Sequence, residues 1–385
     1  MTASAATLRR FSPTSDLPTV NHFAVYATGL VNRFCRVLSL GYFLMTTRKI
    51  TIRDVATAAG VSVSTVSRHL NGRISLPEPT AKRIEQTVKN LSYRPNALAR
   101  RLTHGKSETL GFITSDIAYP LFAAIASASE AEAAANGYSL LMFNSRNIVD
   151  NEIAFLARID DRQVDGVLLM TNHSDEGPLV RKINQSGNVV LIDEDVPGAR
   201  APRLFAENVR GARLAIEHLI AAGHRRIAVI AGPEGLLSTI ERLAGYHETM
   251  EAAGIEVDPA LVFKVSYDES AGSEAFEALM GMADPPTAVF AFADMLAIGA
   301  IKLARQRGIR IPDDVSLVSF DDILHAELLD PPLTTVRQSP EDFGRRGINM
   351  LLGLIRGEKS ETAIQRIAVE LVVRKSVCPP SKRGG

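Results

Sequence analysis

Only two of the 385 residues are cysteine, Cys35 and Cys378, and they lie far apart with no metal-ligand spacing around them. That argues against a disulfide framework and for a reducing compartment, the cytoplasm. No phosphate-cradling glycine loop, nucleophile elbow or metal-binding His pair is present, so no enzyme, cofactor or metal site is expected. No stretch is apolar enough to span a bilayer. The best candidate, Phe23 to Leu44, is interrupted by Asn32, Arg33 and Arg36, whereas a span needs ~20 apolar residues with few charges. Arg9-Arg10-Phe11 is faintly similar to a twin-arginine export signal. Pro13 and Asp16 follow it, not a long uncharged apolar segment.

Net charge is also absent, but the zero is a sum of unlike parts. Arg48 to Lys106 carries 12 basic and 3 acidic residues, and Met1 to Thr47 carries 4 and 1. The remainder holds 27 basic and 39 acidic residues. A short basic module thus precedes a large acidic one, and basic charge gathered on a small domain points to a polyanion, most commonly nucleic acid. The length exceeds what one core usually spans, so two or three folding units are expected. Residues 1–44 show no amphipathic period. Met45 is read as the true start, with the upstream residues a disordered tail or a mis-assigned extension.

Three short helices can be read between residues 45 and 93. The first runs near Ile52 to Ala59, with Thr51 as its cap, Asp54 at its positive end and Gly60 as its stop. The second starts at Ser62, turns Val66 and Leu70 inward, and ends at Asn71-Gly72. The third spans about Pro79 to Leu91, with Ala81, Ile84, Val88 and Leu91 as its apolar stripe. Two helices joined by a tight glycine turn, closed by a third, describe a helix-turn-helix domain, which sets the start of its second helix in the major groove. There Val63, Ser64, Ser67 and Arg68 face outward. Arg68 can donate two parallel hydrogen bonds to guanine, and Val63 can touch a thymine methyl. Thr51, Ser62, Asn71 and Arg73 suit phosphates. Residues 94–106 read as a short helix and linker. Pro95 opens two turns that bring Leu98 and Leu102 together between arginines, a helix too short to stand alone in water. Asn96, Arg101 and Leu102 are its candidate DNA contacts, Leu102 as a minor-groove wedge.

From residue 107 to 385, short apolar runs alternate with helical periods. Leu110–Ile113, Ser139–Phe143, Gly166–Met170, Val189–Ile192, Ile227–Ala231, Ala288–Phe292 and Ser316–Ser319 read as buried strands. Ala123–Ala135, Gly211–Ala221, Arg242–Ala253 and Met295–Arg307 read as helices. The alternation implies an α/β domain with parallel sheets covered on both faces, and there are units enough for two. Ligands in such folds sit beyond the carboxyl ends of strands. Asp116, Asp193, Asp294 and Asp321 follow strands, and Arg242 opens a helix after Gly232-Pro233. With Phe122 and Phe320 as apolar faces, they suit a polyhydroxylated small molecule. Capping the following helix is the commoner role for any one of these aspartates, and Asp294, before Met295, fits it particularly well.

The run from Ile52 to Gly72, Ile-Arg-Asp-Val-Ala-Thr-Ala-Ala-Gly-Val-Ser-Val-Ser-Thr-Val-Ser-Arg-His-Leu-Asn-Gly, resembles the headpiece of the lactose/galactose repressor family. Tyr93-Arg-Pro-Asn-Ala-Leu-Ala-Arg-Arg-Leu102 resembles its hinge helix. The likeness continues through Asp116-Ile-Ala-Tyr-Pro-Leu-Phe122, Val164-Asp-Gly166, Gly223-His-Arg-Arg-Ile227, Arg242-Leu-Ala-Gly245, Pro312-Asp-Asp-Val-Ser316, Phe320-Asp-Asp322 and Pro332-Leu-Thr-Thr335. It spans about Thr47 to Val377. The resemblance implies a helical headpiece followed by a two-lobed domain similar to periplasmic sugar-binding proteins. Lobe 1 would be residues 107–206 and 338–368, and lobe 2 residues 207–337 and 369–378. It implies that Val63, Ser64 and Arg68 read bases and that Leu102 opens the minor groove. It further implies that Arg242 and Asp321 hold effector hydroxyls, with Asp116 and Phe122 lining the opposite wall. Three positions depart from the pattern. His69 replaces a small apolar residue. Ala293 stands where many relatives place a ligand-contacting Asn before Asp294. Leu236 stands where purine-binding relatives carry Arg, which disfavours a purine effector.

The expected function is transcriptional regulation, as a repressor, by a dimer that binds operator DNA under control of a sugar-like effector. A purine or other metabolite is the alternative effector. A transport-type binding protein is the rival reading, but it would have no use for the basic module. The tail after Val377 has no apolar heptads, which favours a dimer over a coiled-coil tetramer.

Overall fold

The computed structural model describes residues 50–71, 73–93, 106–173, 177–358 and 364–381. The 1–44 extension, Met45, Cys35 and the hinge candidates Asn96, Arg101 and Leu102 lie outside the described residues. The chain forms two compact units, one before residue 101 and one after it.

The first unit contains α1 (Ile52–Ala59), α2 (Val63–Leu70) and α3 (Glu78–Asn90). The Asp54 carboxylate accepts hydrogen bonds from the Thr51 backbone N–H at 2.8 Å and hydroxyl at 2.7 Å, fixing the first turn of α1. Gly60 ends that helix at φ 64°, a conformation that costs glycine nothing. Ser62 caps α2 by accepting from the Thr65 N–H at 3.1 Å. α3 begins at Glu78, with Pro79 in its first turn, where its missing N–H is harmless. Val55, Ala56, Ala59, Val66 and Ile84 are buried between the three helices, with Leu70, Val88 and Leu91 packed around them.

The second unit is two lobes. The first contains β1 (Thr109–Thr114), α4 (Pro120–Ala135), β2 (Ser139–Asn144), α5 (Val149–Asp160), β3 (Gly166–Leu169), α6 (Pro178–Ser186), β4 (Val189–Ile192) and β5 (Arg203–Ala206). The second contains α7 (Asn208–Ala221), β6 (Ile227–Ala231), α8 (Leu237–Ala252), β7 (Val262–Lys264), α9 (Glu269–Met280), β8 (Ala288–Ala291), α10 (Asp294–Arg307), β9 (Ser316–Asp321) and β10 (Thr334–Arg337). The chain then returns to lobe 1 as α11 (Pro340–Arg356) and β11 (Ile364–Ile367), and ends in lobe 2 with β12 (Glu370–Val372).

Each lobe is built on a six-stranded sheet, ordered β11-β5-β4-β3-β1-β2 and β12-β10-β9-β8-β6-β7. All pairings are parallel except β10 with β12. Strands such as Val189–Ile192 and Ile227–Ala231 are buried along their whole length, which is why they read as continuous apolar runs. The chain passes between lobes after Ala206, Arg337 and Ile367, so three short connections form the hinge.

Candidate functional site

In the first unit, α2 turns Val66 into the core and leaves Val63, Ser64 and Arg68 exposed. Val63 is 40% exposed, which leaves its methyl groups on the outer face of α2. The Ser64 and Ser62 hydroxyls lie 2.8 Å apart. The Arg68 side chain is without a protein partner among the described residues. Ser67 is half-buried, and its hydroxyl lies at the 3.5 Å limit from Asn71 Nδ2. Arg73 is exposed beyond the end of the helix. His69 has a structural use. Its Nε2 lies 3.5 Å from Glu85 Oε1, tying α2 to α3.

In the second unit a cavity of about 270 Å³ opens between the lobes, with Asp116, Phe122, Asp193, Arg242 and Asp321 in its walls. Lobe 1 supplies the first three, from the ends of β1 and β4 and the first turn of α4. Lobe 2 supplies Arg242 from α8 and Asp321 from the end of β9. Arg242 does not open its helix as expected, because α8 starts earlier, at Leu237. The N-cap of α8 is Leu236, which makes no side-chain cap hydrogen bond, and Arg242 lies more than one turn inside the helix. Arg242 is 3% exposed. Its Nε donates to Asn208 Oδ1 at 2.9 Å, its Nη1 donates to the Phe292 carbonyl, and its guanidinium lies 3.6 Å over the Phe320 ring. Asn208 stands at the start of α7, and the two helices approach closely because Gly245 has no side chain. A Cβ there would fall 2.4 Å from the Val209 carbonyl oxygen.

Asp321 adopts φ 117°, a region that non-glycine residues rarely occupy and that tends to mark functional sites. Its carboxylate accepts from the Tyr119 hydroxyl at 2.8 Å and from Gln338 Nε2 at 2.8 Å. Burial pushes its pKa up to about 6, against the pull of Arg242. Asp193, at φ 72°, is raised by burial and pulled back by Arg242. Its neighbour Glu194 crosses the cleft, accepting from the Ser238 N–H at 3.2 Å and from the Ser238 hydroxyl. Burial, reinforced by Asp193, raises Glu194 to about 8. Asp116 sits at the exposed rim and accepts from the Ala118 N–H at 2.9 Å. Phe122 is buried beneath Tyr119, their ring centres 4.6 Å apart.

Asp294 does not belong to this cavity. It is fully buried, accepting from Ile323 N–H and Thr335 hydroxyl at 2.8 Å each and from the Ser319 hydroxyl. Nor does it cap α10, whose cap position is Ala293. Its carboxylate instead staples the start of α10 to β9, β10 and the loop after β9. Burial, with Asp321 nearby, raises it to about 7. Sequence reasoning also missed lining residues, chiefly Tyr119, Glu194, Ser238, Tyr267 and Gln338. Glu194 was legible as the neighbour of Asp193. Tyr119 lies inside the motif that follows β1. Ser238, Tyr267 and Gln338 come from loops and helix starts with no distinguishing pattern. Among the described residues no group of three or more His, Cys, Asp or Glu side chains is arranged to hold a metal ion. No described helix is long and apolar enough to cross a membrane.

Comparison with known proteins assigns both units. Residues 51–96 match the family of bacterial regulatory proteins, lacI family, and residues 216–377 match the periplasmic binding protein-like domain. The HTH-type transcriptional repressor CytR of Escherichia coli is 32% identical over 326 residues, covering 85% of this chain and 96% of CytR. The chain belongs to the lacI family of bacterial regulatory proteins. The HTH-type transcriptional regulator CelR of Thermobifida fusca is 33% identical over 339 residues, covering 86% of this chain and 98% of CelR. Among solved structures, the lac repressor dimer bound to operator and the anti-inducer ONPF aligns with TM-score 0.78 at 27% identity. That alignment covers 86% of this chain and 100% of the repressor chain. A CelR–cellobiose complex aligns with TM-score 0.66 at 32% identity, covering 85% and 99%. This lacI-family chain is therefore an effector-controlled, DNA-binding transcriptional regulator and not an enzyme.

Proposed function

We propose that this lacI-family regulator acts in the cytoplasm, on the nucleoid, as a homodimeric repressor. Its α2 helices read an operator, and its interlobe cavity binds a small hydroxyl-rich effector. Val63, Ser64 and Arg68 contact base edges, while Thr51, Ser62, Asn71 and Arg73 hold phosphates. Asp321, Arg242, Asp193 and Asp116 bind the effector's polar edges, and Phe122 meets its apolar face.

The observation that carries this reading is the pair of contacts across the cleft, Tyr119 to Asp321 and Ser238 to Glu194. Residues that line the cavity thus also join the lobes, beside the Arg366–Glu241 ion pair that joins them outside it. A molecule entering the cavity must act on lobe closure, and a ligand with different affinity for two closure states shifts their equilibrium. A coupling of about 1–3 kcal/mol would change operator affinity 5–150-fold. The cavity is slightly below the roughly 300–1,000 Å³ common for small-molecule sites, a size for one sugar ring more than for an oligomer. Exposed Leu324 and Leu328 in lobe 2, with Leu141 and Met142 on edge strand β2 in lobe 1, supply apolar surface for a second copy.

The test is operator selection from a random duplex pool with the full-length protein, followed by binding with and without a panel of sugars and polyols. Enrichment of a two-fold symmetric site whose occupancy responds to one of the compounds is expected. No preference for any duplex over random competitor, with or without those compounds, would overturn the reading.

A further inference from the structure

The cavity has more acceptors than donors and more negative than positive charge. Asp116, Asp193, Glu194, Asp268 and Asp321 line it, and Arg242 is its one guanidinium. That guanidinium is already committed at two nitrogens, to Asn208 and to the Phe292 carbonyl. Asp321 is satisfied by Tyr119 and Gln338, Glu194 by Ser238, and Asp268 by the Ser266 hydroxyl and the Ala271 N–H. The Asp193 carboxylate has no hydrogen-bond donor among the described residues.

Two further atoms point the same way. Gln338 is 1% exposed, and because its Nε2 donates to Asp321, its Oε1 is left as a buried acceptor without a partner. Ser115 is 3% exposed and its hydroxyl is also unpartnered. Both line the cavity. A buried polar atom left unsatisfied is costly, so such atoms in a cavity wall mark where a ligand's polar groups belong.

We infer that the effector is a small hydroxylated molecule bearing a protonated primary amine, an amino sugar or amino polyol, with its ammonium group against Asp193 and its donor-rich edge toward Gln338 and Ser115. The inference rests on the effector-cavity reading above and narrows it. An ammonium supplies three donors and no acceptor, which complements a wall with five carboxylates and one guanidinium. It also adds a counter-charge at Asp193, where burial disfavours the charged carboxylate and Arg242 is the one guanidinium pulling the other way. A sugar acid or sugar phosphate would bring its charge against the same carboxylates and is rejected.

The experiment is a matched panel on the full-length protein, read by thermal shift and then calorimetry at fixed pH and ionic strength. Neutral parents (glucose, galactose, sorbitol) are set beside their amine counterparts (glucosamine, galactosamine, glucamine) and beside glucuronate and glucose 6-phosphate. The amines are expected to bind at least tenfold more tightly than their parents, with no shift from the anions. Asp193→Asn is expected to bring an amine down to the level of its parent. If a neutral parent or an anion matches or exceeds its amine, this inference fails while the effector-cavity reading stands. If an amine keeps its advantage in Asp193→Asn, the placement against Asp193 fails. If no compound in the panel stabilises the protein, both this inference and the hydroxyl-rich effector reading fail.

Discussion

Tyr119 in lobe 1 donates its hydroxyl hydrogen to the Asp321 carboxylate of lobe 2 at 2.8 Å. The bond spans the cleft, joining the N-cap residue of α4 to the end of β9. It is charge-assisted when Asp321 is ionised, and such bonds are roughly twice as strong as neutral ones. Tyr119→Phe removes it while preserving the ring that packs, tilted, against Phe122. The expected outcome is a loss of about 1.5–3 kcal/mol in effector binding, which is at least tenfold in affinity. Titration of operator release against effector concentration checks it. A wild-type curve would mean that the bond makes no contribution to closure.

Asp294 and Asp321 are both buried aspartates at the top of lobe 2, yet they should behave oppositely on substitution. Asp321→Ala removes a cavity wall, and the effector response should disappear while the protein still binds its operator. Asp294→Ala strands three donors, the Ser319 and Thr335 hydroxyls and the Ile323 N–H. It should lower stability by about 3 kcal/mol, the order of cost for buried groups left unpaired. Parallel thermal melts and effector titrations separate the two. If Asp294→Ala melted like wild type and lost the effector instead, the division of roles would be wrong.

The contribution of three buried carboxyls to stability should be lost as pH rises from about 4 to about 8, with only Glu194 still titrating on the alkaline side of neutrality. Asp321, Asp294 and Glu194 have folded-state values near 6, 7 and 8, each raised chiefly by burial. A carboxyl whose folded pKa exceeds its unfolded pKa binds more protons in the folded state, so its contribution is lost between the two values as pH climbs. The window therefore opens near the ordinary carboxyl range, about 4, and closes near 8. His218 and His224 are shifted down by burial, so they withdraw stability below the usual histidine value, about 6.5, as pH falls. A melting-temperature profile without ligand should thus decline on its alkaline side. Glu194→Gln, which removes the carboxyl that titrates highest, should flatten that decline near pH 8. A profile that rises steadily to pH 8.5 would show that these carboxyls do not titrate in the folded state as assigned.

Much of this architecture is legible in the sequence because buried parallel strands leave an unmistakable trace. Runs such as Val189–Ile192 and Ile227–Ala231 have no polar face to alternate. The short strands β7, β11 and β12 are three or four residues long and partly exposed at sheet edges, so no period of two can develop. Helix α6 is short and α9 mixes small with charged residues, which hides their inner faces. Within the cavity, Asp193, Arg242 and Asp321 were found by position relative to strands. Gln338 could not be found that way. It lies on a connection between lobes, and its importance comes from an amide oxygen that only three-dimensional placement leaves without a partner. Asp294 was misread for the converse reason. A strand-end aspartate looks the same in sequence whether its carboxylate faces a cavity or three neighbouring donors.

The last prediction concerns Arg68, which is exposed in the last turn of α2 and has no protein partner among the described residues. Holding a guanidinium on the exposed face of a short capped helix, beside Ser64 and Val63, contributes nothing evident to the fold, because the core beneath is closed by Val66 and Leu70. If Arg68 reads guanine, its bidentate geometry makes lysine a poor substitute and alanine a costly one. Arg68→Ala should therefore weaken operator binding by about 1–3 kcal/mol and relax the preference at one base step, leaving other steps unaltered. Arg73→Ala, assigned to phosphate, should weaken binding to all sequences about equally and reduce the salt dependence by roughly one ion. Competition binding against single-base operator variants at two salt concentrations distinguishes these outcomes. Uniform weakening by Arg68→Ala across all variants would move that residue from base reading to backbone positioning.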